Sequence, residues 1–301
     1  MKSFRQTSAP FLGIVLATVL LSGCASAPNS GVQTFSKGVS IAKEQTDTAF
    51  QAVTDLTGDS IIDYATSQPT LNDASFQPVL DPQSIAVWDN VFSALGKYAQ
   101  SLTLLTSPDV TTQYENAVVN LAGEVKQAGS DLQNQKLISS SPQVPASFAA
   151  AFTELGDLLL RAKAEHDAKR IISQADPTIR SILTTMADTI GTSTATPGLR
   201  ATVHANWEQR KGAEQVAFVK AKTQADKRPI AVLYSTEMSQ EAAQDLALSS
   251  LRESLLSLAD AHHALASNKN ADLASAVASV ELAMQNTVNL ANRFQAIPAS
   301  H

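Results

Sequence analysis

Two groups of residues carry side chains that could bind a metal ion or a haem. His262 and His263 are adjacent on an apolar helical seam, and Glu165-His166-Asp167 lies on an earlier helical segment. Imidazole is a common ligand of metals, and two helices could bring His166 and His262 together. A histidine near a helix end also interacts favourably with the helix dipole, and this simpler role is the one we expect. We therefore predict no bound cofactor and no metal.

The sequence lacks the motifs of several enzyme classes. It contains no G-x-S-x-G nucleophile elbow, no H-E-x-x-H zinc motif and no glycine-rich phosphate loop. The Glu-x-x-His motifs of di-iron helical bundles are also absent. The single cysteine, Cys24, belongs to a different kind of site. We predict that the protein is not an enzyme.

Cys24 follows a segment organised as a secretory signal. Lys2 and Arg5 form a basic start, an apolar run of 11 residues extends from Phe11 to Leu21, and Ser22-Gly23 supply small residues. The apolar run is too short to cross a hydrocarbon core of about 30 Å as a helix. The pattern predicts a signal peptide, residues 1–23, that is cleaved immediately before the cysteine.

Leu21-Ser22-Gly23-Cys24 resembles the lipobox of bacterial prolipoproteins, a resemblance that covers residues 1–24 only. It implies a diacylglyceryl group on the Cys24 thiol, cleavage before Cys24 and acylation of the new amino group. Two or more acyl chains hold a protein stably on a bilayer without a transmembrane helix. Ala25, in place of Asp, resembles the sorting signal for the outer membrane. We therefore expect a lipid-anchored protein on the periplasmic face of the outer membrane, with residues 24–31 as a flexible tether.

Composition limits the function classes open to the remaining 278 residues. Loss of Lys2 and Arg5 with the signal takes the net charge from −6 to −8. An acidic domain is a poor candidate for binding nucleic acid or for electrostatic adhesion to anionic lipid. No second cysteine is available for a disulfide, so stability must come from packing.

Apolar residues recur at spacings of three and four through most of the chain, which predicts amphipathic helices. We expect an all-α, up-and-down bundle of about six to eight helices, forming a single domain over residues 32–301 with possible halves 32–175 and 176–301. The predicted helices cover residues 32–57, 82–107, 108–132, 145–174, 176–190, 199–227, 239–266 and 271–294. The short connections at Ser107-Pro108 and Ser267–Asn270 predict two antiparallel hairpins.

Several side chains can be assigned to the core or to the surface. Leu121 and Leu255 lie on seams that we predict to be buried, and Trp88 and Tyr98 are expected in the core rather than in a ligand pocket. The charged segment 200–227 predicts a solvated helix face with mixed signs. Its helix is expected to pack through Val203, Trp207, Ala217 and Val219, and to end before Pro229.

These observations favour a non-enzymatic interaction or structural component of the cell envelope, with an unidentified protein partner. One alternative is a carrier of a small ligand, metal or haem in the bundle core, with His166, His262 or His263 as ligands. A second is a helical, toxin-like protein that inserts into membranes. The apolar stretches after Cys24, such as Leu158-Leu159-Leu160, are short for that role.

Overall fold

The computed structural model describes residues 27–67, 70–71, 78–107, 112–133, 135–138, 145–165 and 167–295. Within these ranges the chain forms eight helices and no β-strand, which confirms the all-α prediction. The helices are α1 (Ala27–Ser67), α2 (Pro82–Leu105), α3 (Thr112–Asp131), α4 (Ala146–Glu165), α5 (Ala168–Ile190), α6 (Leu199–Lys220), α7 (Gln224–Ala266) and α8 (Asn270–Gln295).

Helix α7 is the central element of the bundle. It packs against α8, α5, α1 and α6, while α2, α3 and α4 form a neighbouring group that joins the rest through α1 and α5. The turn between α7 and α8 places Asn268 at a φ of 57°, a left-handed conformation that asparagine tolerates better than most residues. This turn makes α7 and α8 an antiparallel hairpin, as the sequence predicts.

Helix α2 begins where its capping residues predict. Pro82 occupies the first turn, and the Asp81 carboxylate accepts a hydrogen bond of 2.8 Å from the Ser84 backbone N–H. The next helix along the chain, α3, packs against α2 and, more extensively, against α4. The predicted hairpin of residues 82–132 is therefore one part of a three-helix group.

Helix α1 begins earlier than predicted and is continuous to Ser67, whereas the sequence predicts an interruption at Gly58 before a short continuation at residues 61–64. It begins at Ala27, so residues 27–31 of the expected tether are helical, and Pro28 lies in the first turn, where its missing N–H costs little. Gly58 does not interrupt it, because one glycine weakens a helix by only about 1 kcal/mol relative to alanine.

The break between the fourth and fifth helices falls nearer residue 166 than residue 175. Asp167 caps α5 by accepting a 3.0 Å hydrogen bond from the Arg170 N–H, and α5 then continues through Pro177. The prediction that Asp176-Pro177 starts a new helix is wrong. Pro177 is solvent-exposed, and a proline removes one backbone hydrogen bond without necessarily ending a helix.

Pro229 also fails to mark a helix boundary, because it lies inside α7. Thr223 and Asp226 form a reciprocal capping box that starts this helix at Gln224, and Pro229 lies within its second turn. The predicted break between residues 227 and 239 does not occur, because residues 230–234 and Ser239 are part of the same helix. The result is one helix of 43 residues.

The buried core confirms most of the predicted seams. Leu255, Trp88 and Tyr98 are each at most 1% exposed. Leu121, by contrast, is only partly buried, because the neighbouring positions Val118, Ala122 and Val125 face the core in its place. The prediction of a buried Leu121 is therefore wrong by one position around the helix.

Candidate functional site

The lipid-anchor prediction concerns residues outside the described ranges, which begin at Ala27. Cys24 is three positions before the start of α1. Gly31, in the first turns of α1, packs so closely on the α7–α8 turn that an added Cβ would lie 2.9 Å from Leu265 Cδ1 and 3.4 Å from Leu273 Cδ2. The amino-terminal end of α1 therefore lies beside the α7–α8 turn.

The histidine candidates fall in different places. His166 is outside the described residues. His262 is completely buried, with its Nε2 3.0 Å from the Tyr98 hydroxyl and its Nδ1 3.1 Å from Asp176 Oδ1. His263 is exposed, and its Nδ1 lies 2.8 Å from Asp176 Oδ2.

Burial sets the protonation of this group. It lowers the pKa of His262, against the opposing effect of the Asp176 carboxylate, and it raises the pKa of Tyr98 well above its ordinary value. Burial also tends to raise the pKa of Asp176, but hydrogen bonds with His262 and His263 bring it below its ordinary value. Because Asp176 accepts only, a neutral His262 donates from Nδ1, and its Nε2 accepts the Tyr98 hydroxyl proton.

The Tyr98–His262–Asp176 group links α2, α7 and α5 in the core. Both ring nitrogens of His262 are already in hydrogen bonds, and Phe35 packs edge-on against its ring at 5.1 Å. Metal or haem ligation by His262 would require breaking one of these bonds. The contacts favour a structural role for the group.

Trp88 is held in the core by a directed contact. Its Nε1–H donates a 2.8 Å hydrogen bond to the Leu137 carbonyl, and its ring meets Phe50 edge-on at 5.1 Å. One part of the ring reaches a surface groove of about 290 Å³ between α1 and α2. The groove also exposes Asp47 and Asp89, which Lys43 bridges.

A second polar group, which the sequence analysis assigned to a solvated face, lies between α6 and α7. We call it the α6–α7 ion-pair cluster; its members are Arg200, His204, Glu208, Arg210 and Lys211 of α6 with Glu237, Glu241 and Asp245 of α7. Arg200 Nε lies 2.7 Å from Asp245 Oδ1, and Arg210 lies 3.0 Å from Glu237. The side chains of Arg210, Lys211 and Glu237 are all at most 10% exposed. The charges of Arg200, Arg210 and Lys211 therefore face α7 rather than water.

Lys211 occupies the centre of this cluster. Its Nζ contacts Glu208 and lies 2.6 Å from Glu241 Oε2, while His204 Nδ1 contacts the other oxygen of Glu241. Burial lowers the pKa of Lys211, but hydrogen bonds to Glu208 and Glu241 outweigh that effect and raise it. The sequence signal was the run of charges spaced by four and three, from Arg200 through His204 and Glu208 to Lys211.

Beyond the cluster, the two helices continue as a projecting hairpin. We call residues 212–236 the arm; no residue of this range is buried. Val219 is 81% exposed, so the predicted packing of α6 through Ala217 and Val219 is wrong, whereas Val203 and Trp207 are buried as expected. The Gln215 side chain donates to the Tyr234 hydroxyl at 3.2 Å, and Lys227 lies 5.1 Å from the Phe218 ring centre.

Comparison with known proteins gives no match among protein families, curated proteins or solved structures. Among the described helices, none is both long and apolar enough to cross a membrane.

Proposed function

We propose that the protein is a lipid-anchored, non-enzymatic component of the bacterial cell envelope that binds a protein partner through its arm. The main observation in support of this proposal is the arm. It is a helical hairpin of 25 residues, none of which is buried against the bundle. The anchor follows from the lipobox resemblance at Leu21–Cys24.

The surface of the arm supports a protein partner. Val216, Val219 and Val232 are each more than half exposed, and Phe218 and Leu233 are more than one-third exposed. Apolar side chains gathered on one projecting element mark an interaction surface more often than apolar side chains scattered singly. Their burial by a partner would contribute stabilising free energy in proportion to the area covered.

Charge indicates the chemistry of the partner. The arm carries Lys220, Lys222, Lys227 and Arg228 against Glu214 and Asp226, so it is basic within a chain whose net charge is −6. Complementary potentials steer association and suppress wrong partners. The arm therefore fits a protein with an apolar groove bordered by acidic side chains.

The arm lies far from the amino-terminal end of α1, the described end of the chain that is nearest to Cys24. The start of α1 packs beside the α7–α8 turn, whereas the arm lies at the opposite end of α7. A 43-residue helix is about 64 Å long at 1.5 Å per residue. A domain tethered through Cys24 can therefore present the arm well away from the membrane surface.

Site-specific photo-crosslinking in intact cells tests this proposal. A photoreactive residue at Val219 should give a discrete adduct with an envelope protein, identified by mass spectrometry. Leu282 on α8 is a matched control, because it is an apolar side chain 60% exposed outside the arm, and it should give no such adduct. Reversing the charges of Lys220 and Lys222 to Glu should reduce the Val219 adduct.

Three results would overturn the arm as the partner surface. These are no adduct from Val216, Val219 or Val232, an equal adduct from Leu282, or an adduct with a second copy of this chain. The charge-reversed protein must keep the unfolding midpoint of the wild type, which we expect because substitutions at exposed positions usually change stability by less than about 0.5 kcal/mol.

A further inference from the structure

The base of the arm brings together the ligands of a possible metal site. His204 and Glu208 are one turn apart on α6, and Glu241 faces them from α7. One ligand atom from each of the three lies within 4.8 Å of the others. Zinc is bound by imidazole nitrogens and carboxylate oxygens at about 2.0–2.2 Å. Side-chain movements that close these distances, with displacement of Lys211 Nζ, would bring all three atoms around one ion.

The cluster already binds a cation, the ammonium group of Lys211. Lys211 Nζ contacts Glu208 and lies 2.6 Å from Glu241 Oε2. Two carboxylates against one ammonium leave these three groups with a net charge of about −1. A divalent ion in place of the ammonium would give the carboxylates a stronger attraction and would add a bond to His204.

The neighbouring charges do not compete for such an ion. Asp245 pairs with Arg200, and Glu237 pairs with Arg210. Glu208 is 54% exposed, which leaves one side of the cluster open to ions from solution. Glu241, at 15% exposed, and Lys211, at 10%, form its inner side.

The burial of these ion pairs between α6 and α7 is not required for the two helices to pack together. Desolvating paired charges at a helix interface is costly, and apolar side chains of similar volume stabilise such interfaces equally well or better. A seam of leucines between α6 and α7 would therefore suffice to hold the hairpin. A cluster that adds a histidine to two carboxylates is suited to bind a metal.

We propose that His204, Glu208 and Glu241 bind one divalent transition-metal ion, of the zinc class, at the base of the arm, and that Lys211 occupies the site as a counter-ion in the absence of metal. The proposal does not depend on the lipid anchor or on a partner. Metal binding would fix α6 to α7 where the arm leaves the bundle.

The test is a zinc titration of the full chain in detergent, after treatment with a chelator, using competition with a chromogenic zinc indicator. The wild type should bind one zinc ion per chain. Glu241→Gln should weaken binding by about tenfold or more, because it replaces a charged ligand. Lys211→Met should tighten binding by a similar factor, because it removes the competing ammonium. Zinc should raise the melting temperature of the wild type and of Lys211→Met, but not of Glu241→Gln.

His263→Ala is the matched control, because His263 is an exposed histidine paired with a carboxylate elsewhere on α7. It should leave zinc affinity unchanged. Loss of binding in His263→Ala with retention in Glu241→Gln would place the ion at Asp176 and overturn the proposal. Absence of binding in both the wild type and Lys211→Met would show that the cluster is an ion-pair network only. Thermal unfolding of each variant without zinc separates loss of a ligand from loss of the fold.

Discussion

The completely buried His262 connects three helices through two side chains. Tyr98 on α2 and Asp176 on α5 each satisfy one of its ring nitrogens. A buried polar group left without its partner costs about 1–3 kcal/mol, so this arrangement is sensitive to any change that removes one member. Protonation of His262 also destabilises the arrangement, because it puts a charged imidazolium in the core.

We predict that stability falls in mild acid because of His262. The pKa of this histidine is lower in the folded than in the unfolded protein, so the unfolded state binds more protons below about pH 6.5. Above that pH, His262 is neutral in both states and its protonation does not reduce stability. As the pH falls from about 6.5 to the folded-state pKa, the free energy of unfolding decreases by about 1.4 kcal/mol for each pH unit. Urea unfolding at pH 7 and pH 5 measures the loss.

The control for this prediction is His262→Gln, which keeps hydrogen-bonding capacity but does not titrate. Its stability at pH 7 is expected to be lower than that of the wild type, and its loss between pH 7 and pH 5 should be smaller. An equal loss in the two proteins would assign the acid sensitivity to other groups, such as Asp176.

Leu255 in the core and Leu121 at its edge should differ in how much they contribute to stability. Leu255→Ala should lower the free energy of unfolding by about 2–5 kcal/mol, because Leu255 is fully buried and a cavity would remain. Leu121→Ala should cost less than half as much, because this side chain is only partly buried. Denaturant midpoints measure both. Equal losses would place Leu121 in the core after all.

At the scale of elements, helix periodicity predicted which segments are helical but not where each helix ends. Pro177 and Pro229 predict helix boundaries, but each lies inside a continuous helix. The capping residues Asp167 and Thr223 are the better signals for where α5 and α7 begin. Long-range contacts, such as Asp176 with His262, could not be derived because sequence spacing gives no information across 86 positions.

Close packing of α3 against α4 depends on glycines that periodicity does not single out. A Cβ added at Gly129 would lie 2.6 Å from the Ala149 carbonyl oxygen, whereas a Cβ at Gly123, on the same helix, would meet nothing within 4 Å. We therefore expect Gly123→Ala to raise the free energy of unfolding by up to about 1 kcal/mol, through helix propensity. Gly129→Ala should lower it by about 1–3 kcal/mol, through overpacking.

Chemical unfolding of both glycine variants at one pH checks this prediction. Because both are glycine-to-alanine changes in α3, the difference between them isolates the contact with α4. Similar stabilisation of both would mean that α3 and α4 do not approach as closely as the structure shows.

At the scale of the whole molecule, the amino-terminal end of α1 and the arm lie at opposite ends of α7. The lipobox resemblance could be seen in the sequence, but the arm could not, because helical periodicity does not show where a helix pair leaves the bundle. The sparse apolar residues of segment 200–227 predict a solvated face. The structure divides that segment instead into a base that packs on α7 and a projecting hairpin.

The measurement that bears most directly on this account is membrane fractionation of Cys24→Ser cells, with mass spectrometry of the amino terminus. The thiol is the acceptor of the proposed lipid, so the variant should be released from membranes or accumulate with its signal uncut, and the wild type should carry acyl chains on Cys24. The helical content of the two proteins should be equal by circular dichroism. If Cys24→Ser stays with membranes after a high-salt wash and is cut at the same position, lipid anchoring is wrong, and with it the placement of the arm away from the membrane.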